Sequence, residues 1–209
     1  FFSILQFGDP YLTVSFFDLI SNFTMFNGFF KLPYIDGAYW SLLVEMKFYI
    51  LILFFIFLKD KYNFKVDYFI TLYILLSLIS MLPDVQSHKL HTIINYFLTF
   101  KYSSFFISGM IFYMIYKAGT KYKYVIQLLI CYLMSIFWSL KEASKIENVY
   151  NITFSETTTI IYISVFYFVM FLISTGKLEV LNRKVFLKFG VMTYPLYLLH
   201  QNIGYIILN

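Results

Sequence analysis

The strongest constraint on this chain is a succession of six long apolar runs: Trp40 to Leu58, Val66 to Leu82, Ile93 to Tyr116, Tyr124 to Leu140, Thr157 to Thr175 and Gly190 to Leu208. A helix that crosses about 30 Å of hydrocarbon needs roughly 17 to 25 mainly apolar residues, and each run meets or approaches that length. The second is the weakest, being short and ended by Pro83. Strands are disfavoured because the runs lack the alternation of a membrane barrel. Composition agrees. Of 209 residues, 60% are apolar and 13% charged, against about 45 to 50% and about 25% in soluble domains. A water-soluble globule, a disordered chain, a collagen-like repeat, a coiled coil and a disulfide-stapled fold are thereby excluded. The expected fold class is all-α, a polytopic membrane helical bundle with about six transmembrane helices in residues 40–209.

Placement of the 16 basic residues tests this topology independently. Lys and Arg in short loops mark the cytoplasmic side of a membrane. Ten of them fall in every second inter-run segment: Lys59, Lys61 and Lys65; Lys117, Lys121 and Lys123; Lys177, Arg183, Lys184 and Lys188. The alternate segments hold four, Lys31, Lys89, Lys141 and Lys145. Segments 59–65, 117–123 and 176–189 are therefore expected to be cytoplasmic, in a multi-pass protein of the cell (inner or plasma) membrane. The net charge of +5 needs no nucleic acid to explain it. Residues 8–39 and the loops 83–92 and 141–156 then face outward. Residues 11–30 mix apolar positions with Asp18, Asn22, Asn27 and Gly28, which suits an interfacial segment better than a span.

Residues 1–7 read as the tail of a helix, and the chain has neither an initiator Met nor a signal-peptide pattern at its start. It stops at Asn209 directly after an apolar run. The expectation is an internal piece of one larger membrane domain, inactive by itself.

The two remaining basic residues, Lys47 and Lys101, lie inside predicted spans, as does Glu45. A charge at membrane depth costs at least a few kcal/mol unless it is paired or hydrated, so such residues are candidate site residues by default; the competing explanation is structural pairing or snorkelling. Ser41, Glu45 and Tyr49 recur at every fourth position and share one helix face, with Asp36 and Gly37 as an expected cap. At about 1.5 Å per residue, Glu45 and Lys101 sit at comparable depths below the outer helix ends. An ion pair between them is expected. In the last run Thr193, Tyr197, His200, Gln201 and Gly204 follow helical spacing around Pro195. A histidine there can move a proton or position a carbonyl near neutral pH.

Other signals are weaker. His88 and His91 in an outward loop lack a third metal ligand, so no metal is expected. Cys131 lies in an apolar run and reads as packing. Asn22-Phe-Thr24 and Asn151-Ile-Thr153 match a glycosylation acceptor pattern that chance often supplies. There is no P-loop, dinucleotide fingerprint or nucleophile elbow.

Two strings carry more than periodicity. Ile35-Asp-Gly-Ala-Tyr-Trp-Ser-Leu-Leu-Val-Glu-Met-Lys-Phe-Tyr49 resembles the W-S-L-x-x-E-x-x-F-Y signature of the membrane acyltransferase 3 family. Thr193-Tyr-Pro-Leu-Tyr-Leu-Leu-His-Gln-Asn202 resembles its late Y-x-x-Y-L-x-H-Q segment. The resemblance implies a bundle of about ten helices that moves acetyl or other short acyl groups from acyl-CoA onto hydroxyls of a cell-surface glycan, with no bound cofactor. It maps Trp40, Ser41, Glu45, Phe48 and Tyr49 onto the first signature and Tyr194, Tyr197, His200 and Gln201 onto the second. Glu45 and His200 take supporting catalytic roles, Glu45 orienting a basic group or the acceptor hydroxyl and His200 lining the same cavity. Trp40, Ser41, Tyr49, Tyr197 and Gln201 bind substrate, and Lys101 joins them on its depth. The family gives the general base to a histidine on its first helix, which these 209 residues lack, and Arg183 matches neither of its basic motifs. Partners expected are the acyl-CoA donor, a glycan acceptor and the lipid bilayer.

Two readings from other classes compete. In an exporter of a glycan or lipid intermediate, Glu45, Lys101 and His200 would line a proton or substrate path, although no internal repeat supports it. In a noncatalytic scaffold the same charges would serve helix packing alone.

Overall fold

Inside hydrocarbon every backbone N–H and C=O must be satisfied within the protein, and a continuous helix does so with its own residues. The computed structural model describes residues 15–25, 27–30, 32, 34, 39–150, 153–178 and 184–208, without the side chains of 149, 150, 185 and 198–208. All regular structure among them is helical. In chain order these are α1 (Phe16–Phe23), a 3₁₀ turn (Asn27–Phe29), α2 (Trp40–Tyr62), α3 (Val66–Ile79), α4 (Pro83–Ser87), α5 (Lys89–Leu98), α6 (Phe100–Ala118), α7 (Tyr122–Tyr150), α8 (Glu156–Ser174) and α9 (Lys184–Leu208). The chain divides into two units, residues 1–46 with 181–209, and residues 47–180, the boundary falling within α2.

Each expected run is realised as helix, with three corrections. Among the described residues, four stretches are long and apolar enough to cross a membrane: Trp40–Tyr62, Lys89–Ala118, Tyr122–Asn148 and Glu156–Ser174. α3 is shorter than expected. It stops at Ile79 after 14 residues, and Pro83, which suits a first helical turn, opens α4 inside the stretch expected to be a loop. The third run, expected as one helix, is broken at Thr99. That residue adopts φ 47 and ψ 45, a left-handed conformation rare for a β-branched side chain. The break is held by neighbours: Thr99 N–H donates to the Asn95 carbonyl at 2.8 Å, Phe100 N–H to Asn95 Oδ1 at 3.1 Å, and the Tyr73 hydroxyl to the Leu98 carbonyl. The fourth run, expected to end at Leu140, continues as α7 to Tyr150.

In the unit 47–180, α6 lies against α3, α7 and α8. Its buried face reads Ser103, Ser104, Ile107, Ser108, Ile111, Phe112 and Ile115. Small residues let helix backbones approach closely where lipid tails remove any hydrophobic gain from helix association. Ser103 and Ser108 donate back to the carbonyls of Phe100 (2.7 Å) and Phe105 (2.8 Å), so their hydroxyls cost no unpaired donor. Ile70, Tyr73 and Ile74 of α3, Tyr124 and Cys131 of α7, and Tyr167 of α8 complete the core. Cys131 is fully buried, as packing requires. Outward faces carry Leu53, Phe54, Tyr113, Leu133, Tyr162 and Phe168, bulk that a bilayer covers and water would not.

In the other unit, α1 is closed at its N-terminus by a capping box. Ser15 Oγ accepts from Asp18 N–H at 3.0 Å and Asp18 Oδ2 accepts from Ser15 N–H at 3.1 Å. Its burial is inverted relative to a soluble helix. Asn22 is buried, donating to the Asp18 carbonyl (2.8 Å) and accepting from Asn27 Nδ2 (3.0 Å), while Phe16, Phe17, Ile20 and Phe23 are exposed. This suits the expected interfacial segment. It also removes Asn22 from consideration as a glycosylation acceptor; Asn151 lies outside the described residues.

Candidate functional site

The first turn of α2 meets the middle of α9. Ser41 Oγ and the Tyr197 hydroxyl are 2.6 Å apart and share a hydrogen bond. α2 is helical from Trp40 onward, so Ser41 and Glu45 occupy one face, one turn apart. Trp40 and Tyr197 are partly exposed, Glu45 is half-buried, and Leu42 and Leu43 turn inward. The segment before α2 packs closely on it: a Cβ at Gly28 would collide with the Tyr34 hydroxyl and Leu43 Cδ2. On α9, Pro195 lies inside the helix and the Thr193 hydroxyl donates to the Gly190 carbonyl at 2.6 Å. His200 and Gln201 lie three and four positions beyond Tyr197 on the same helix; their side chains are outside the described residues. So are Asp36 and Gly37.

Two paired hydroxyls with a carboxylate one helical turn along the same face can orient a hydroxyl-bearing molecule, since each hydroxyl both donates and accepts while the ionised carboxylate only accepts. Tyr194 is half exposed. The remaining first-signature residues fall in the other unit: Phe48 is buried and stacked on Phe106 at 4.2 Å, and Tyr49 is exposed.

Lys101 has a different partner from the one expected. Its Nζ lies 2.5 Å from Glu142 Oε2, and Glu142 Oε1 also takes Lys145 Nζ at 2.8 Å. The continuation of α7 past Leu140 is the physical reason, because it carries Glu142 to the start of α6. Nearby, Lys141 donates to Gln86 Oε1 at 2.8 Å, and Gln86 Nε2 donates to the carbonyls of Met81 (3.0 Å) and Ser80 (3.2 Å) at the end of α3. Lys47 is buried with its ammonium 3.4 Å from the centre of the Tyr96 ring, a cation–π contact that lowers the cost of its charge. At the opposite end of α3, Asp67 pairs with Lys123 and accepts from the Tyr124 hydroxyl at 3.2 Å.

Between these charged ends lies a buried hydroxyl cluster. Ser135 Oγ is 3.0 Å from Ser104 Oγ, 2.9 Å from the Cys131 carbonyl and 2.7 Å from the Tyr167 hydroxyl. Ser135, Tyr167, Glu142 and Gln86 escaped the sequence reading. A lone serine or tyrosine in an apolar run gives no sign of which face it takes. The one available signal for Glu142 was its spacing to Lys145. His88 and His91 line a cavity of about 720 Å³ between α3, α5 and the start of α6, and no cluster of three His, Cys, Asp or Glu able to hold a metal occurs among the described residues.

Long apolar helices, charges gathered at their ends and polar groups turned inward define a polytopic helical membrane protein. A family model described as an acyltransferase domain matches residues 1–209, so the chain belongs to the acyltransferase 3 family and is a membrane acyltransferase. No curated protein and no solved structure matches it.

Proposed function

We propose that the protein transfers an acetyl or other short acyl group from acyl-CoA to a hydroxyl of a cell-surface glycan, without a bound cofactor. The observation that supports this most is the hydrogen bond between Ser41 and Tyr197, which joins the two signature segments one helical turn from Glu45. The acceptor hydroxyl loses its proton to a general base and attacks the thioester carbonyl. The tetrahedral oxyanion collapses, the C–S bond breaks, and CoA leaves as its thiol once protonated. Glu45 orients the acceptor or a neighbouring basic group rather than acting as the base, His200 and Gln201 line the same cavity, and Trp40, Ser41, Tyr49 and Tyr197 contact substrate. Lys101 stands in this reading as a residue toward the acceptor, held in place by Glu142. The lysine-bearing ends at 59–65, 117–123 and 176–189 face the cytoplasm of a multi-pass cell membrane protein, where their summed field raises the local concentration of the anionic donor without a fixed contact to any one lysine.

The test is acylation of surface glycans, read by mass spectrometry, in cells expressing the complete protein with Glu45→Gln, His200→Ala or Tyr197→Phe. Glu45→Gln and His200→Ala are expected to reduce acylation at least tenfold, and Tyr197→Phe severalfold, at unchanged protein level. Full acylation in both Glu45→Gln and His200→Ala overturns the site.

A further inference from the structure

A second cavity lies wholly within the unit 47–180, as a groove of about 900 Å³ between α2 and α6. The stacked rings of Phe48 and Phe106 close one end of it. Lys59 and Lys117 line the other. Eleven residues separate the two ends on each helix, so the groove is roughly 16 Å long at about 1.5 Å per residue. Its wall between these ends, represented by Ile52, is apolar but for the Tyr113 hydroxyl, and no acid is among the described residues that line it. Gly109 faces this space, and a Cβ built there meets nothing within 4 Å. The shape is therefore long, apolar and cationic at one end. An acetyl group is far too small to fill it.

We propose that this groove holds an acyl chain of an anionic phospholipid, with Lys59 and Lys117 binding the headgroup phosphate. The groove opens where α2 and α6 are long and apolar enough to lie in hydrocarbon, which supplies the chain, and the uncompensated positive end selects the sign of the headgroup. Ser41, Glu45 and Tyr197 are not among the residues that line the groove, so the proposal stands whether or not the acyl acceptor is a glycan.

Native mass spectrometry of the complete protein, exchanged with phosphatidylglycerol or phosphatidylethanolamine of identical chains, tests this. Two lysines near a headgroup are expected to favour phosphatidylglycerol by about fivefold or more. Lys59→Gln with Lys117→Gln is expected to abolish the preference while the thermal melt stays unchanged. Gly109→Phe is expected to reduce retention of both lipids. Equal binding of the two lipids by the unsubstituted protein, or a preference that survives the double substitution, overturns the proposal. Displacement of the lipid by acetyl-CoA also overturns it, because the groove would then be a donor site. Inorganic phosphate alone is expected not to displace the lipid, and displacement by it would show that the apolar groove contributes nothing.

Discussion

Ser41 on α2 and Tyr197 on α9, separated by 156 positions in the chain, share a hydrogen bond of 2.6 Å. A hydroxyl–hydroxyl bond of this kind contributes about 0.5–1.5 kcal/mol. Ser41→Ala and Tyr197→Phe are each expected to lower stability by about that amount. The double substitution should cost less than the two singles together, because the second removes an interaction already lost. Thermal unfolding in detergent across this cycle measures the coupling, and strict additivity would show that the bond carries no energy.

Glu142 serves two lysines, Lys101 at 2.5 Å and Lys145 at 2.8 Å, which makes the two halves of the pair unequal. Lys101→Met leaves the carboxylate its second lysine. Glu142→Gln leaves two ammonium groups side by side. The glutamate variant is therefore expected to lose about 1–2 kcal/mol and the lysine variant less, the pair being only partly buried. Equal losses in the thermal melt would contradict this ordering.

Thr99 holds a left-handed conformation that disfavours a β-branched residue by roughly 1–2 kcal/mol. Thr99→Gly relieves that cost and is expected to leave the melting temperature unchanged or raise it slightly, glycine losing part of the gain as chain entropy. Asn95→Ala removes the acceptor for Phe100 N–H and is expected to lower it. The contrast between the two variants distinguishes a built break from an accidental one.

Ser135 is bonded to Ser104, Tyr167 and the Cys131 carbonyl at once. Ser135→Ala takes a partner from both Ser104 and the Tyr167 hydroxyl, the latter keeping Ser108, and is expected to destabilise by about 1–3 kcal/mol, whereas Tyr167→Phe removes one partner from a serine that keeps others and should cost less. Chemical denaturation in mixed micelles reads the difference.

The helices were legible because run length and continuous apolarity are direct requirements of a bilayer. Their ends were not. Lys141-Glu142-Ala143-Ser144-Lys145 ends an apolar run yet contains good helix formers and an i,i+3 ion pair, so hydropathy stopped at Leu140 while the backbone did not. The break at Thr99 was invisible for the opposite reason, since neither glycine nor proline marks it and it is held by local bonds to Asn95 and a tertiary bond from Tyr73. The contact between α2 and α9 was implied only by the two signature strings, since a hydropathy pattern carries no information about which helices touch. The pairing of Lys101 failed because matched depth specifies a level in the membrane and not a neighbour at that level.

α3 and α7 start together and do not finish together. Asp67 pairs with Lys123 and Gln127 Nε2 donates to Thr71 Oγ1 at 3.0 Å, so the two helices run side by side from a common end. At about 1.5 Å per residue the 14 residues of α3 span roughly 21 Å, and the 29 residues of α7 roughly 43 Å. No single hydrocarbon thickness matches both. A bilayer of about 30 Å must pinch toward α3 and leave the last turns of α7 standing in the headgroup layer, which makes the membrane beside this protein thinner on one flank than on the other.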